Sequence, residues 1–270
     1  MNKNYPLPQI QEVLQASQKI LILLSKSASF DQVSAGLSLF LSLGKTGKQV
    51  TIVSPEPMTV DFSHLVGLNE IQTELPGGDL IMTLNYPVEN IEKVFTTNEQ
   101  SGNLQIVVKT KPEKEPVKKE EISFSAPGIM PQLIWTIGVH KPEGLGKIYQ
   151  EKKEILQGTV VNLDNSSQNV SFGKINIIDT AASLSEMMIA ILTQMHLPFE
   201  VDIAANLLLG LKRATDSFQS PEVSADTFEA ASLAMKAQRS LEGPVETAPS
   251  LGKPPAEWLE PKIYKGSTLP

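Results

Sequence analysis

The sequence predicts an α/β protein built on a doubly wound, mainly parallel sheet with a β-rich insertion. Short apolar runs of strand length alternate with stretches of helical apolar spacing, the pattern of helices laid on a sheet. Near the start, the run Lys19–Leu24 (KILILL), a helical stretch and a second run at Val50–Val53 fit one strand–helix–strand unit, whose crossover is right-handed. Later, the run Thr159 to Leu163 ends on a crest of polar side chains, Asp164, Asn165, Ser166, Ser167, Gln168 and Asn169. Acidic and amide groups past the C-terminal end of a buried strand are where an open α/β sheet places a ligand.

Taken in order, Gln9 to Ser17 reads as a short helix and Lys19–Leu24 as the first core strand. Asp31 to Gly47 reads as a helix, with Val33, Leu37, Phe40, Leu41 and Leu43 apolar and Gly44 and Gly47 as stop signals. A short helix is expected around Val60 to Val66 and a core strand at Asp79–Leu84. Ile91 to Ser125 reads as the insertion: Leu104, Ile106 and Val108 alternate with polar residues after a Ser-Gly-Asn turn, as in an exposed hairpin. Leu133–Ile137 and Val160–Leu163 complete the expected sheet, with helices on both faces, and Lys174 to Ile178 is a further β-rich run. Ser183-Leu184-Ser185-Glu186 reads as a capping box that starts a helix. In that helix Met187, Ile191 and Met195 form one apolar face beside Met188 and Leu192. Phe199 to Arg213 and Ser224 to Gln238 are the last helices. Residues 241–270 are Pro-rich without helical period and read as a tail, so residues 1–240 form the domain. Pro255 to Tyr264 carries Trp258, Leu259, Ile263 and Tyr264, an apolar load that suits docking onto this protein or a partner.

Composition narrows the function. The 270 residues are 41% hydrophobic and 20% charged, ordinary for a globular protein. A formal charge of −7 argues against a broad nucleic-acid surface, while leaving room for a small nucleotide in a local pocket. The mixed tract KTKPEKEPVKKEE offsets its lysines with glutamates and reads as a solvated loop. The absence of cysteine, of a signal-peptide core and of a long apolar run leads us to expect a cytoplasmic protein with no membrane partner. No G-x-G-x-x-G follows a strand, which excludes the usual dinucleotide-binding turn.

The central stretch resembles the third motif of the DHH phosphoesterases, the family of oligoribonucleases and 3′-phosphoadenosine 5′-phosphate phosphatases. That motif is a strand, Asp-His-His, two variable residues, Asn, a Phe-Gly pair and a Ser-x-x-Glu helix start. Asp164, Asn169, Phe172, Gly173, Ser183 and Glu186 fit the frame, whereas Asn165 and Ser166 stand at the two histidine positions. The first motif's frame resembles the stretch after Leu24, with Ser25 at its His position, Ser29 at its first Asp position and Asp31 at its second. Read without the family, Asp31 is a helix N-cap or first-turn carboxylate. The second motif's Asp falls on Gly138 and the fourth motif's on Ala214, with Gly210, Thr215, Ser217 and Phe218 in frame. The resemblance covers Lys19 to roughly Gln238, and the family's C-terminal substrate domain has no match.

The resemblance implies a DHH-type N-terminal-domain fold. It also implies that Ser25, Ser29, Asp31, Gly138, Asp164, Asn165 and Ala214 converge at the strand ends. Two-metal hydrolysis needs several charged ligands around cations about 3.5–4 Å apart, and Ser and Asn are neutral. The leading expectation is therefore a catalytically degenerate binding or assembly protein with no cofactor. Its polar ligand, a small nucleotide among the candidates, would sit on Ser25, Ser29, Asp31, Asp164, Asn165, Ser166 and Asn169. Asp31 and Asp164 are the catalytic candidates and the candidates for one weakly held metal. The alternative is an active phosphoesterase on short oligoribonucleotides or nucleotides, with Mn2+ or Mg2+ on relocated ligands drawn from Asp31, Asp164, Asp179, Asp216 and His140.

Overall fold

The computed structural model describes residues 3–75, 81–98, 103–125 and 131–239. The tail beyond Arg239, with its apolar cluster, lies outside the described residues. In chain order the elements are α1 (Leu7–Gln15), β1 (Lys19–Leu24), α2 (Phe30–Gly44), β2 (Gln49–Val53), β3 (Ile81–Leu84), β4 (Ile91–Asn98), β5 (Leu104–Thr110) and β6 (Ile122–Ser125). There follow β7 (Leu133–Ile137), α3 (Lys147–Glu151), β8 (Thr159–Asp164), β9 (Ile175–Ile178), α4 (Leu184–Gln194), α5 (Val201–Ala214) and α6 (Ala225–Arg239). The expected helix around Val60 to Val66 shrinks to a 3-10 turn, Val60–Phe62.

Five strands form one parallel sheet in the order β2-β1-β7-β8-β9. The inner strands β1, β7 and β8 are near-continuous apolar runs, as burial on both faces requires. Ile20, Ile22, Leu24 and Trp135 face a thick helical layer of α1, α2, α4, α5 and α6. Leu21, Leu23, Ile134 and Val160 face a thinner layer around Leu145 and Ile148 of the α3 region. Helices thus cover both faces, unequally.

Two expectations about the elements need correction. The run Asp79–Leu84 was expected in the core sheet, but its described part, β3, pairs antiparallel with β6 outside it. Met82 and Leu84 are half-buried while Thr83 between them is exposed, the alternation of a one-sided ribbon. Strand β9 takes the fifth place instead. Helix α4 was expected to bury one face, yet every residue from Leu184 to Leu192 is buried, Ser185 and Glu186 included. It is a central helix hemmed in by α2, α5 and α6.

The hairpin of the insertion forms as β4–β5, with Val94 opposite Val108 and Thr96 opposite Ile106. The topology then fixes where a site belongs. From β1 the chain first steps outward to β2, then returns to build β7, β8 and β9 on the other side. Strand order therefore reverses between β1 and β7, and the crevice past their C-terminal ends is where such sheets take ligands.

Candidate functional site

Gln32 occupies the crevice at that switch point. Its Oε1 accepts from the Ser25 hydroxyl at 3.1 Å and from the Ser29 amide at 2.8 Å, and its Nε2 donates to the Gly138 carbonyl at 3.1 Å. Ser29 Oγ accepts from the Gln32 amide, so Ser29 and Gln32 form a complete capping box on α2. One side chain thereby links the end of β1 to the end of β7. Gly138 makes room for it: with φ of +65°, a Cβ there would lie 2.2 Å from Gln32 Nε2 and 2.5 Å from its Cγ.

Asp31 turns the other way. Its two carboxylate oxygens accept from the backbone amides of Leu184 and Ser185, at 2.7 and 2.9 Å. It sits in the first turn of α2 but caps α4, satisfying orphan amides where the helix dipole favours negative charge. Burial pushes its pKa above the ordinary carboxylate range, against the Ser185 and Leu184 hydrogen bonds that favour the charged form. The expected capping box at Ser183 is half made: Ser183 Oγ accepts from the Glu186 amide at 3.1 Å. The Glu186 carboxylate does not return the bond and accepts from Thr227 Oγ1 at 2.8 Å.

The crest after β8 is also internally satisfied. Asp164 Oδ1 accepts from the Asn165 amide at 2.9 Å and Oδ2 from Asn169 Nδ2 at 2.7 Å. Asn169 further donates to the Val139 carbonyl, and its Oδ1 accepts from Asn162 Nδ2. Asn162 Oδ1 in turn accepts from the buried Thr136 hydroxyl at 2.9 Å. Asn165 Nδ2 donates to the Ala182 carbonyl, and Ser166 Oγ accepts from the Gln168 amide.

Asp31, Asn165 and Ala214 come together around the loop before α4, while Gln32 joins Ser25, Ser29 and Gly138, and Asp164 is tied to Asn165. Asp31 holds Leu184 and Ser185, Asn165 holds Ala182, and Asn165 and Ala214 both line a cavity of about 90 Å³. The cavity is walled by hydroxyls, among them Ser183, Thr215 and Thr227, with the carboxylates of Glu186 and Glu222. At roughly 30 Å³ per liquid water it holds about three waters, and no basic side chain among the described residues lines it.

The residues of the alternative ligand set do not gather. Asp179 belongs to a knot around Lys3, whose Nζ lies 3.1 Å from Glu186 Oε1, 3.3 Å from Asp179 Oδ2 and 3.5 Å from Asp226 Oδ2. Asp216 lines a separate cleft beyond α5, and the His140 carbonyl accepts from the Val170 amide. No group of three or more His, Cys, Asp or Glu side chains placed to hold a metal is present among the described residues. The donor set thus does not fit a two-cation centre, and three carboxylates that do converge already enclose an ammonium.

The Lys3 knot makes a pH-dependent tie. Partial burial pushes Asp179 upward, but the Tyr5 hydroxyl at 2.8 Å, the Ala181 amide and Lys3 outweigh it and hold it below the ordinary range. The Tyr5 phenol is pushed far up, by burial and then by Asp179. A depressed carboxylate stabilises the fold above its unfolded pKa, and that contribution is lost as pH falls through the folded value. The segment Lys3–Pro6 is therefore expected to stay bound at neutral pH and release below about pH 4. Amide NMR of Tyr5 and Leu7 reads this, and Asp179→Asn should give the released spectrum already at neutral pH. Acid-insensitive signals in the native protein would refute the tie.

No helix among the described residues is long and apolar enough to cross a membrane. No protein-family model matches the sequence, and no curated protein matches it. Among solved structures the chain is similar to an exopolyphosphatase-related protein from Bacteroides fragilis, at 13% identity and a TM-score of 0.61. The match covers 88% of this chain and 58% of that one, so the chain spans less than two thirds of that protein's length. What the two share is the fold: a parallel-sheet α/β scaffold also used by a phosphatase-related protein.

Proposed function

We propose that this protein is a catalytically degenerate DHH-phosphoesterase-like protein, with a binding or assembly role. The observation that carries this reading is the fate of the two carboxylates at family ligand positions. All four oxygens of Asp31 and Asp164 accept hydrogen bonds from the protein itself. Hard dications need several charged oxygen donors, and the remaining positions offer Ser25, Ser29, Gly138, Asn165, Ser166 and Ala214. The polar ligand expected on the crest would have to displace the Gln32 and Asn169 bonds one for one.

The alternative, an active metal-dependent phosphoesterase, draws its support from the fold shared with an exopolyphosphatase-related protein. One assay separates the two. The purified protein is incubated with millimolar manganese and short oligoribonucleotides, 3′-phosphoadenosine 5′-phosphate or polyphosphate, beside Asp164→Asn. We expect no turnover above the variant and no tight manganese binding by calorimetry. Turnover that vanishes in a folded Asp164→Asn protein would establish the alternative.

A further inference from the structure

A second cleft, of about 470 Å³, lies beyond the C-terminal end of α5 and shares no lining residue with the crest cavity. Its size falls within the range of small-ligand sites. Three features of its lining point to an occupant. The last turn of α5 presents Lys212 and Arg213, both exposed, and neither ion-pairs with a carboxylate among the described residues. The Arg213 guanidinium is held in place over the Phe30 ring, 5.4 Å from its centroid, and Phe30 is itself stacked on Phe62. Asp61 and Asp216 line the same cleft without cancelling those charges in direct contact, and Val60 and Leu209 add apolar surface.

The wall that supplies Asp216 is strained. Asp216, Ser217 and Phe218 have φ of 45°, 56° and 68°, three successive non-glycine residues in the left-handed region. The bond from the Ser217 amide to the Lys212 carbonyl is an ordinary helix closure and accounts for Asp216. The amides of Gln219 and Ser220, both donating to the Thr215 carbonyl at 3.0 Å, close the turn through the next two. Thr215 Oγ1 accepting from the Phe218 amide and the stacking of Phe218 on Phe228 hold the turn in place. Strain that the surroundings over-determine is characteristic of ligand clamps.

We propose that this cleft binds a small phosphomonoester carried on a hydroxylated body such as a sugar. Lys212 supplies a point charge and Arg213 a two-pronged donor for the phosphate. Asp61 and Asp216 accept hydrogen bonds from hydroxyls, and Val60 and Leu209 cover the apolar faces of the ring. The two carboxylates oppose a bare dianion, so the phosphate binds well only when hydroxyls arrive with it. The site does not depend on the proposed function and stands whether or not the crest is catalytic.

The test is calorimetry and amide-shift mapping on the full chain with ribose 5-phosphate, ribose and inorganic phosphate as probes. Ribose 5-phosphate should bind saturably, shifting amides in 60–64 and 209–217. Ribose and inorganic phosphate should each bind at least about tenfold more weakly, the weight of one charge-assisted hydrogen bond. Lys212→Gln and Arg213→Lys, both at exposed positions, should each cost about tenfold in affinity on the same grounds. The proposal is overturned by absence of saturable binding, by inorganic phosphate binding as tightly as the ester, or by affinity that both variants leave unchanged.

Discussion

Replacing Gly210 by alanine is expected to destabilise the protein by about 3 kcal/mol, the upper range for overpacking a well-filled interior. Alanine within a helix ordinarily stabilises it, by up to about 1 kcal/mol over glycine. At Gly210 the neighbours reverse the sign. A Cβ there would stand 2.1 Å from Ser185 Oγ on α4 and 2.6 Å from Ser34 Cβ on α2. A hydroxyl can rotate away, but a Cβ is fixed to its backbone, so α5 must lift off α2. Gly44 is the control: nothing lies within 4 Å of its added Cβ, and Gly44→Ala should be neutral or slightly stabilising. Urea unfolding with unchanged slope reads both. A Gly210→Ala protein as stable as the parent would mean that α2 and α5 are farther apart than described.

Removing the Asp31 carboxylate should be comparably damaging. Asp31→Ala deletes two bonds from an ionisable acceptor to buried amides, each worth about 1.5–3 kcal/mol. We expect a loss of about 3 kcal/mol once water reaches the freed amides. Asp31→Asn keeps one acceptor oxygen and should fall between. Hydrogen exchange should quicken first at Leu184 and Ser185. A residue retained for chemistry behaves in the opposite way, since activity is commonly bought with stability. A gain on Asp31→Ala would therefore argue for a functional carboxylate rather than a helix cap.

The scaffold was legible where the physics is local. β1, β2, β7 and β8 are short apolar runs bounded by polar residues, and burial on two faces leaves that mark. β3 failed because DLIMTL has the length and apolarity of a core strand, and nothing in it says which surface will cover it. The crest positions were located through the family resemblance, and the structure joins Ser25, Ser29 and Gly138 of them through one side chain, Gln32. What they do there was not legible. Gln32 stands three residues after Ser29, a Ser-x-x-Gln pattern that is itself a capping-box signal, and reading it would have placed Gln32 against the Ser29 amide. Its bond to Gly138 spans 106 residues and leaves no periodic trace. Lys3 is equally silent in sequence: a lone lysine near the start has no pattern that announces three carboxylates. The left-handed turn at Asp216–Phe218 carries no glycine, so the usual sign of such a backbone is missing.

The tie between Gln32 and Gly138 bears on how this chain can change over generations. An aspartate cannot be accommodated at position 138 while Gln32 keeps its rotamer, since the first carbon of any side chain there would collide with it. Nor can Gln32 shorten first without opening the α2 capping box and freeing the Ser25 hydroxyl and the Gly138 carbonyl. Either substitution alone breaks part of this arrangement before the other can restore it. A carboxylate could therefore be placed at position 138 only by a coordinated change at both positions.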